Sequence, residues 1–341
     1  MKEVVLIGHE EDGLSVKLVT DQVEAGLSAQ GWAVERLPRT AKSLAPAHQK
    51  LVLCLEPTLV SRLLADPRYL RPKALASLFV TNLEEMAPLE RLPYAGAFLS
   101  KTYAGIPVQH LVHSAYTEQA FNAYVQGLFQ PSHAREFRAN QKTLWYGISD
   151  DFKPGPADPD LLVAPMNRVA VFQKRCDLHA EITGRYLLAS QRQGRRPTCR
   201  FFHVPGAGPS DKSCKFDRSA YEFQEQPARE AYPAKAREHG LFLSTSEWES
   251  FGIYYLELLA SGVVGVFLDR PWVRTLLPSY RFVASKADLL PMMLHVRQHW
   301  DEARRYVIEE VRPWIMRERS LRAFHENLDA RLTALSTAAE S

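Results

Sequence analysis

Short apolar runs separated by longer amphipathic stretches set the rhythm of the chain. The run EVVLIG predicts a buried strand, and LSVKLVTDQVEAGLSAQG predicts a helix that ends at Gly31. WAVERLP and KLVLCL predict the second and third strands. PTLVSRLLAD begins with Pro57, as first helical turns often do. ALASLFVTN, YAGAFLS and VQHLVH predict further strands, AYTEQAFNAYVQGLF a helix, and KTLWYG closes this half. Strands alternating with helices predict an α/β fold with a parallel, doubly wound sheet.

The segment ISDDFKPGPADPDLL breaks the rhythm with Asp, Pro and Gly and predicts a linker. The pattern then repeats. RVAVF predicts a strand and Asp177 to Arg192 a helix; CRFFHV, LFLST, VVGVFL and YRFVA predict further strands. A helix is expected around Pro233 and another from Lys286 to Arg297, and the final TALSTAAES is expected to fray. The expected organisation is an N-terminal Rossmann-like domain over 1–152 and a linker over 153–160. A C-terminal Rossmann-like domain follows over 161–319, with a terminal helix over 320–341 packing back on the first domain. Two such tandem domains are expected to face a cleft, with ligands beyond the carboxyl ends of the strands.

One stretch carries the chemistry. SEWESFGIYYLELLASG starts at Ser246, follows a predicted strand and turns into an apolar helix at Phe251. The first turn of a helix leaves backbone N–H groups without partners, and the helix dipole adds positive potential there. Gly252 permits close approach of a ligand, and a phosphate suits such a place. Glu257 lies two turns in, too deep for capping, and offers its oxygens to a diol such as a ribose. Glu249 stands at the mouth and can accept from sugar hydroxyls. Taken alone, a plain amphipathic helix with Glu249 as its dipole partner accounts for the same residues.

In EWESFGIYYLELLASGVVGVF, however, the positions Glu249, Ser250, Phe251, Gly252, Glu257, Ala260, Ser261, Gly262 and Val263 resemble the nucleotide-sugar signature of retaining GT-B glycosyltransferases of the family-4 type. LVHSAYTEQAF, LWYGISDDFKP and YRFVASKADLLPMML are similar to further segments of that family, in the same order. The resemblance implies donor contacts from Glu249, Ser250, Phe251, Gly252, Ile253 and Glu257. It carries the phosphate role onto Lys174 and Arg175 in VAVFQKRCDLHAE, with His179 near the place of the family's lysine. The glycine turn after the first strand is altered to GHEEDGLS, where Gly13 is the candidate for donor contact, and the Gly-rich loop after VFLD is replaced by RPWVRTLLPS. His113 is taken as a candidate catalytic group. His9, Asp12, Asn82, Glu84 and Glu85 join it near predicted strand ends facing the cleft.

The resemblance implies a hexosyl- or pentosyltransferase that moves a sugar, with retention, from a nucleoside diphosphate sugar to an acceptor hydroxyl. UDP-sugar is the expected donor. Lys174 and Arg175 would meet the charge growing on the leaving diphosphate, so no metal is required. The altered glycine segments also suit a catalytically inactive nucleotide-sugar-binding protein.

Composition bounds the acceptor. The 341 residues are 46% hydrophobic and 24% charged, ordinary globular values, and the length favours two domains. Net charge is only +3. Against that balance, Arg185 to Arg218 holds eight Lys or Arg and two Asp. Arg195, Arg196 and Arg200 could contact the phosphates of duplex DNA, which makes a modified DNA base one candidate acceptor and a glycan or lipid the other. Cys54, Cys176, Cys199 and Cys214 show no CxxC spacing and are expected as reduced thiols in a cytoplasmic protein. No apolar run approaches the ~20 residues of a membrane span.

Overall fold

The computed structural model describes residues 2–8, 15–38, 40–41, 43–55, 71–79, 106–128, 130–165, 174–203, 218–249 and 251–340. Two compact units are present: Met1–Tyr146 with Arg322–Ser341, and Gly147–Leu321.

The first unit is built on a parallel sheet of β1 (Lys2–Gly8), β2 (Trp32–Pro38), β3 (Leu51–Cys54), β4 (Ala74–Phe79), β5 (Val108–Val112) and β6 (Gln141–Thr143). Their order is β2-β1-β3-β4-β5-β6. β1 and β3 are apolar runs because both faces of a central parallel strand are covered. Helix α1 (Ser15–Ala29) buries Val19, Val23 and Leu27 at four-residue spacing. Gly8 allows its approach to β1, because a Cβ there would overlap the side chain of Thr20. Helices α2 (Ala115–Leu128) and α3 (Pro131–Asn140) bring Phe121 and Phe137 to the core formed by Val5, Val52, Leu75 and Val108.

The second unit contains β7 (Asp158–Ala164), helix α4 (Cys176–Arg192), β8 (Thr198–His203), β9 (Glu222–Glu225), helix α5 (Tyr232–Ala236) and β10 (His239–Ser244). Helix α6 (Ile253–Ala260), β11 (Val264–Leu268), α7 (Pro271–Leu276), β12 (Val283–Ala284), α8 (Leu289–Gln298), α9 (Trp300–Tyr306) and α10 (Arg312–Glu318) follow. The sheet is again parallel, in the order β12-β11-β10-β7-β8-β9. The chain is therefore α/β, with two doubly wound sheets of six strands each among the described residues.

Several elements differ from expectation. The segment read as a linker over 153–160 runs into β7 at Asp158, and β7 is a central strand of its sheet. Its first residues, Asp158-Pro159-Asp160, look like a turn, but Pro is tolerated where a strand begins. Only the last four residues, Leu161–Ala164, are deeply buried. β9 was not anticipated; it is an edge strand whose EFQE side chains are half-buried or exposed, so it lacks an apolar signature. The C-terminal helix α11 (Leu321–Ala338) does not fray at its TALSTA segment and buries Phe324, Leu328, Leu332 and Leu335 within the first unit. Asp329 on that helix accepts from Lys2 Nζ at 2.8 Å and from Trp32 Nε1 at 2.7 Å, which pins it beside β1 and β2. The strand expectations for YAGAFLS and RVAVF, and the helix at PTLVSRLLAD, lie outside the described residues. Among the described residues no helix is long and apolar enough to cross a membrane.

Candidate functional site

In the second unit, β8 and β9 lie to one side of β7 and β10, β11 and β12 to the other, so the direction of winding reverses between β7 and β10. Ligands of open α/β sheets bind beyond the carboxyl ends of the strands at such a point. The loop after β10 carries Glu247 and Glu249, and Lys174 and Arg175 stand at the start of α4, the helix that follows β7.

Lys174 Nζ is ion-paired with Glu249 Oε1. Tyr255, on the first turn of α6, donates its hydroxyl to the same oxygen at 2.8 Å. That hydroxyl also lies 2.8 Å from Ser246 Oγ. Burial, then the neighbouring Glu249 charge, pushes the Tyr255 phenol well above its usual range, so it remains a donor. The backbone of Lys174 and Arg175 is held from β10 as well: Thr245 Oγ1 donates to their carbonyls at 2.8 and 3.2 Å. Arg175 takes a left-handed conformation, φ 48° and ψ 54°, directly before α4. A non-glycine residue in that region is strained, and such strain persists only where the surroundings impose it.

A second cluster lies beside the first. Glu247 accepts from Arg175 Nη1 at 3.0 Å and from Arg270 through Nε at 2.5 Å and Nη2 at 3.1 Å. The Arg270 contact, then Arg175, holds the Glu247 carboxyl below the usual range against the opposing effect of its partial burial. Arg175 also grips Asp177 through Nε and Nη2 at 3.1 and 3.0 Å.

Gly252 opens α6 with φ 61°, a left-handed cap that only glycine adopts without cost, and a Cβ there would overlap Leu276. Glu257 follows on the buried side of α6, 2% exposed, with Oε1 ion-paired to Arg229. Burial raises its carboxyl pKa, and Arg229 opposes the rise. The Arg229 guanidinium in turn lies 5.4 Å from the centre of the Phe152 ring.

Of the expected site residues, Lys174, Arg175, Glu249, Phe251, Gly252, Ile253 and Glu257 occupy one end of the sheet in the second unit. Ser250, Gly13, His9, Asp12, Asn82, Glu84 and Glu85 lie outside the described residues. His113 does not present an exposed face: it is fully buried after β5, with Nε2 2.9 Å from Thr117 Oγ1. Ser114 beside it caps α2, accepting from Thr117 N–H at 3.0 Å. His179 is buried too, 2.7 Å from the Tyr221 hydroxyl, and burial lowers its pKa to about 4. A neutral imidazole cannot replace the family's lysine as a cation.

The basic segment is described only in part, with Lys212 and Lys215 outside the described residues. Arg200 sits in β8 and is paired at 2.9 Å with Glu238, a carboxylate it shares with Lys235. Arg195 and Arg196 lie between α4 and β8, at the amino end of the strands. Helix α4 has 17 residues and spans about 25 Å. That length separates these arginines from Lys174 and Arg175, so a polyanion tracking them would meet the end of the sheet opposite the candidate site.

Sequence reasoning missed Arg229, Arg270, Tyr255 and Trp272. Tyr255 had a signal, an aromatic two residues before Glu257 in the quoted motif. Arg270 stood in the segment noted only as lacking the family's glycines.

No family model and no curated protein sequence matches the chain. Solved structures do. An α,α-trehalose-phosphate synthase (UDP-forming) from Burkholderia vietnamiensis superposes with a TM-score of 0.70 at 12% identity, covering 100% of this chain and 99% of that one. Sucrose-phosphate synthase from Thermosynechococcus elongatus gives 0.69 at 13% identity over 99% and 100%. WaaG, a glycosyltransferase involved in lipopolysaccharide biosynthesis, gives 0.62 at 15% identity over 97% and 99%. The fold is GT-B. Its two Rossmann-like units are the pair of six-stranded parallel sheets described above. Within this GT-B fold, the Lys174–Glu249 pair lies at the winding reversal of the second sheet.

Proposed function

We propose that the protein is a retaining glycosyltransferase that transfers a sugar from a nucleoside diphosphate sugar to an acceptor hydroxyl. The observation that carries this is the convergence of Lys174, Glu249 and the glycine-opened start of α6 at the winding reversal between β7 and β10. In this reading the diphosphate lies against the α6 N-terminus and the cations Lys174 and Arg175. Glu257 accepts from the ribose hydroxyls, and Glu249 accepts from the sugar. The bond between the anomeric carbon and the diphosphate oxygen breaks, its electron pair staying with the diphosphate. A bond to the acceptor oxygen forms, and the acceptor proton passes to the departing diphosphate oxygen. Preorganised cations matched to the growing diphosphate charge supply the main acceleration. UDP-sugar is the proposed donor, a choice supported by the UDP-forming synthase among the similar structures.

For the acceptor we favour a glycan or lipid hydroxyl. The DNA-base reading rested on the basic segment Arg185 to Arg218; within it Arg195 and Arg196 lie remote from Lys174 and Arg200 pairs with Glu238, which counts against it, while Lys212 and Lys215 lie outside the described residues. The buried thiols Cys54, Cys176 and Cys199 are unbridged, which suits the reducing cytoplasm proposed for the protein.

The test is a thermal-shift screen of nucleotide sugars, followed by turnover of any stabilising donor with oligosaccharide, lipid and DNA acceptors. Stabilisation by a nucleoside diphosphate sugar with transfer supports the proposal. Stabilisation with neither transfer nor donor hydrolysis supports an inactive binding protein, and no stabilisation by any nucleotide sugar removes both.

A further inference from the structure

The two clusters at the end of the second sheet contain one cation more than the functional reading uses. Lys174 and Arg175 are assigned to the diphosphate; Arg270 is not. Its placement is built in by the chain. Pro271 confines the preceding residue to extended backbone, and Arg270 is extended at φ −142° and ψ 149°. Trp272, 3% exposed, donates Nε1–H to the carbonyl of Ser246 at 3.0 Å. This hydrogen bond ties the loop after β11 to the loop after β10, one residue before Glu247. The guanidinium therefore reaches Glu247 from a braced backbone and contacts both of its oxygens.

Two guanidinium groups, Arg175 and Arg270, then share one carboxylate. Structural pairing does not require this, because Arg175 already has Asp177 in a two-pronged contact. Like charges brought together repel unless an anion lies between them, and Glu247 is that anion here. The charges of Lys174, Arg175 and Arg270 are cancelled by those of Glu247, Glu249 and Asp177. A doubly charged diphosphate entering a neutral cluster gains little until one carboxylate yields. Glu247 is the carboxylate whose departure frees both guanidinium groups; its side chain is 21% exposed, against 10% for Glu249, which Tyr255 also holds, while the more exposed Asp177 pairs with Arg175 and not with Arg270.

Resting on the donor reading above, we propose that Arg270 is a third cation on the leaving diphosphate and that Glu247 holds the anion position until the donor arrives. The guanidinium stands in the segment after β11, RPWVRTLLPS, which holds no glycine of its own. Glu247 is a positioning residue. It keeps the two arginines aimed at one point, and the diphosphate replaces its carboxylate there.

Calorimetry with uridine, UDP and inorganic pyrophosphate tests this on the wild type, Arg270→Ala, Arg270→Lys and Glu247→Gln, with near-UV circular dichroism confirming that each variant is folded. Arg270→Ala is expected to weaken UDP and pyrophosphate at least about tenfold and to leave uridine unchanged, because only the phosphates meet the guanidinium. Arg270→Lys should recover part of the loss, being a cation without the planar fork. Glu247→Gln should tighten pyrophosphate, since a competing anion is gone. UDP and pyrophosphate binding unaltered in folded Arg270→Ala, with wild type binding both, overturns the inference and leaves the donor site standing. Weaker pyrophosphate binding by Glu247→Gln overturns the placeholder role. A wild type that binds none of UDP, GDP and ADP removes the donor reading, and this inference with it.

Discussion

The Nζ of Lys174 and the Oε1 of Glu249 meet across the carboxyl ends of β7 and β10, although 75 residues separate them in the chain. This contact sits where the winding of the sheet reverses, and it joins the cation assigned to the leaving group with the carboxylate assigned to the sugar. Removing the cation should therefore act on the chemical step. Lys174→Ala is expected to lower kcat by about 10²–10³, the loss seen when one preorganised transition-state donor is deleted, with a smaller change in KM. Steady-state donor turnover measures it. A normal kcat would place the diphosphate elsewhere.

Glu257 and Arg229 form a pair that is buried on one side only, with the Glu257 side chain 2% exposed and that of Arg229 40% exposed. Glu257→Gln should weaken UDP by about tenfold or more, because a neutral amide accepts the diol protons less strongly. Arg229→Ala should destabilise the fold by about 1–3 kcal/mol, less than a fully buried pair because water screens the arginine. Urea unfolding of both single variants and the double variant isolates the coupling. Additive losses would show that the two side chains do not act together.

Gly252→Ala tests the start of α6. A non-glycine residue at φ 61° costs about 1–2 kcal/mol, and its Cβ would overlap Leu276. Lower stability in urea is expected, with weaker UDP binding as the first turn shifts. Unchanged UDP affinity in a folded variant would separate this turn from the phosphate.

The buried histidines set an acid limit. His179 and His239 have folded pKa values of about 4, lowered first by burial, against 6.5 when unfolded. The unfolded chain therefore takes up protons at these sites before the folded one does. Their contribution is complete above pH 6.5, falls as pH falls, and is lost by about pH 4. Each is worth about 3 kcal/mol over that interval. Urea unfolding at pH 7, 6 and 5 should show stability declining with pH, and His179→Gln should decline less steeply. Parallel pH profiles for the two proteins would contradict this.

The arginines at the far end of the sheet provide a control. Arg195→Glu with Arg196→Glu should leave UDP affinity and donor turnover unchanged, since α4 separates them from Lys174. Filter binding of duplex DNA to wild type should show no retention even at low salt. Tight, strongly salt-dependent DNA binding abolished by the double reversal would restore the DNA-base acceptor.

What the sequence determined on its own was periodic or local. Apolar runs alternating with amphipathic stretches were enough for a parallel α/β fold, because a strand covered on both faces must be apolar throughout. The start of α6 was legible to within two residues, at Phe251 against the observed Ile253, because the backbone geometry of a helix cap depends on a few neighbouring residues. The spacing of Glu249 and Glu257 was legible for the same reason. Tertiary structure decided what depends on partners distant in the chain. Asp158-Pro159-Asp160 becomes the beginning of a central strand only because β8 and β10 flank it. Arg200 is spoken for by Glu238, and Arg270 is drawn to Glu247, through contacts between separate strands and loops. His179 loses its charge because α4 is packed against the sheet. A side chain's charge, exposure and partner are properties of its surroundings in space, and those surroundings are assembled from segments that no local pattern connects.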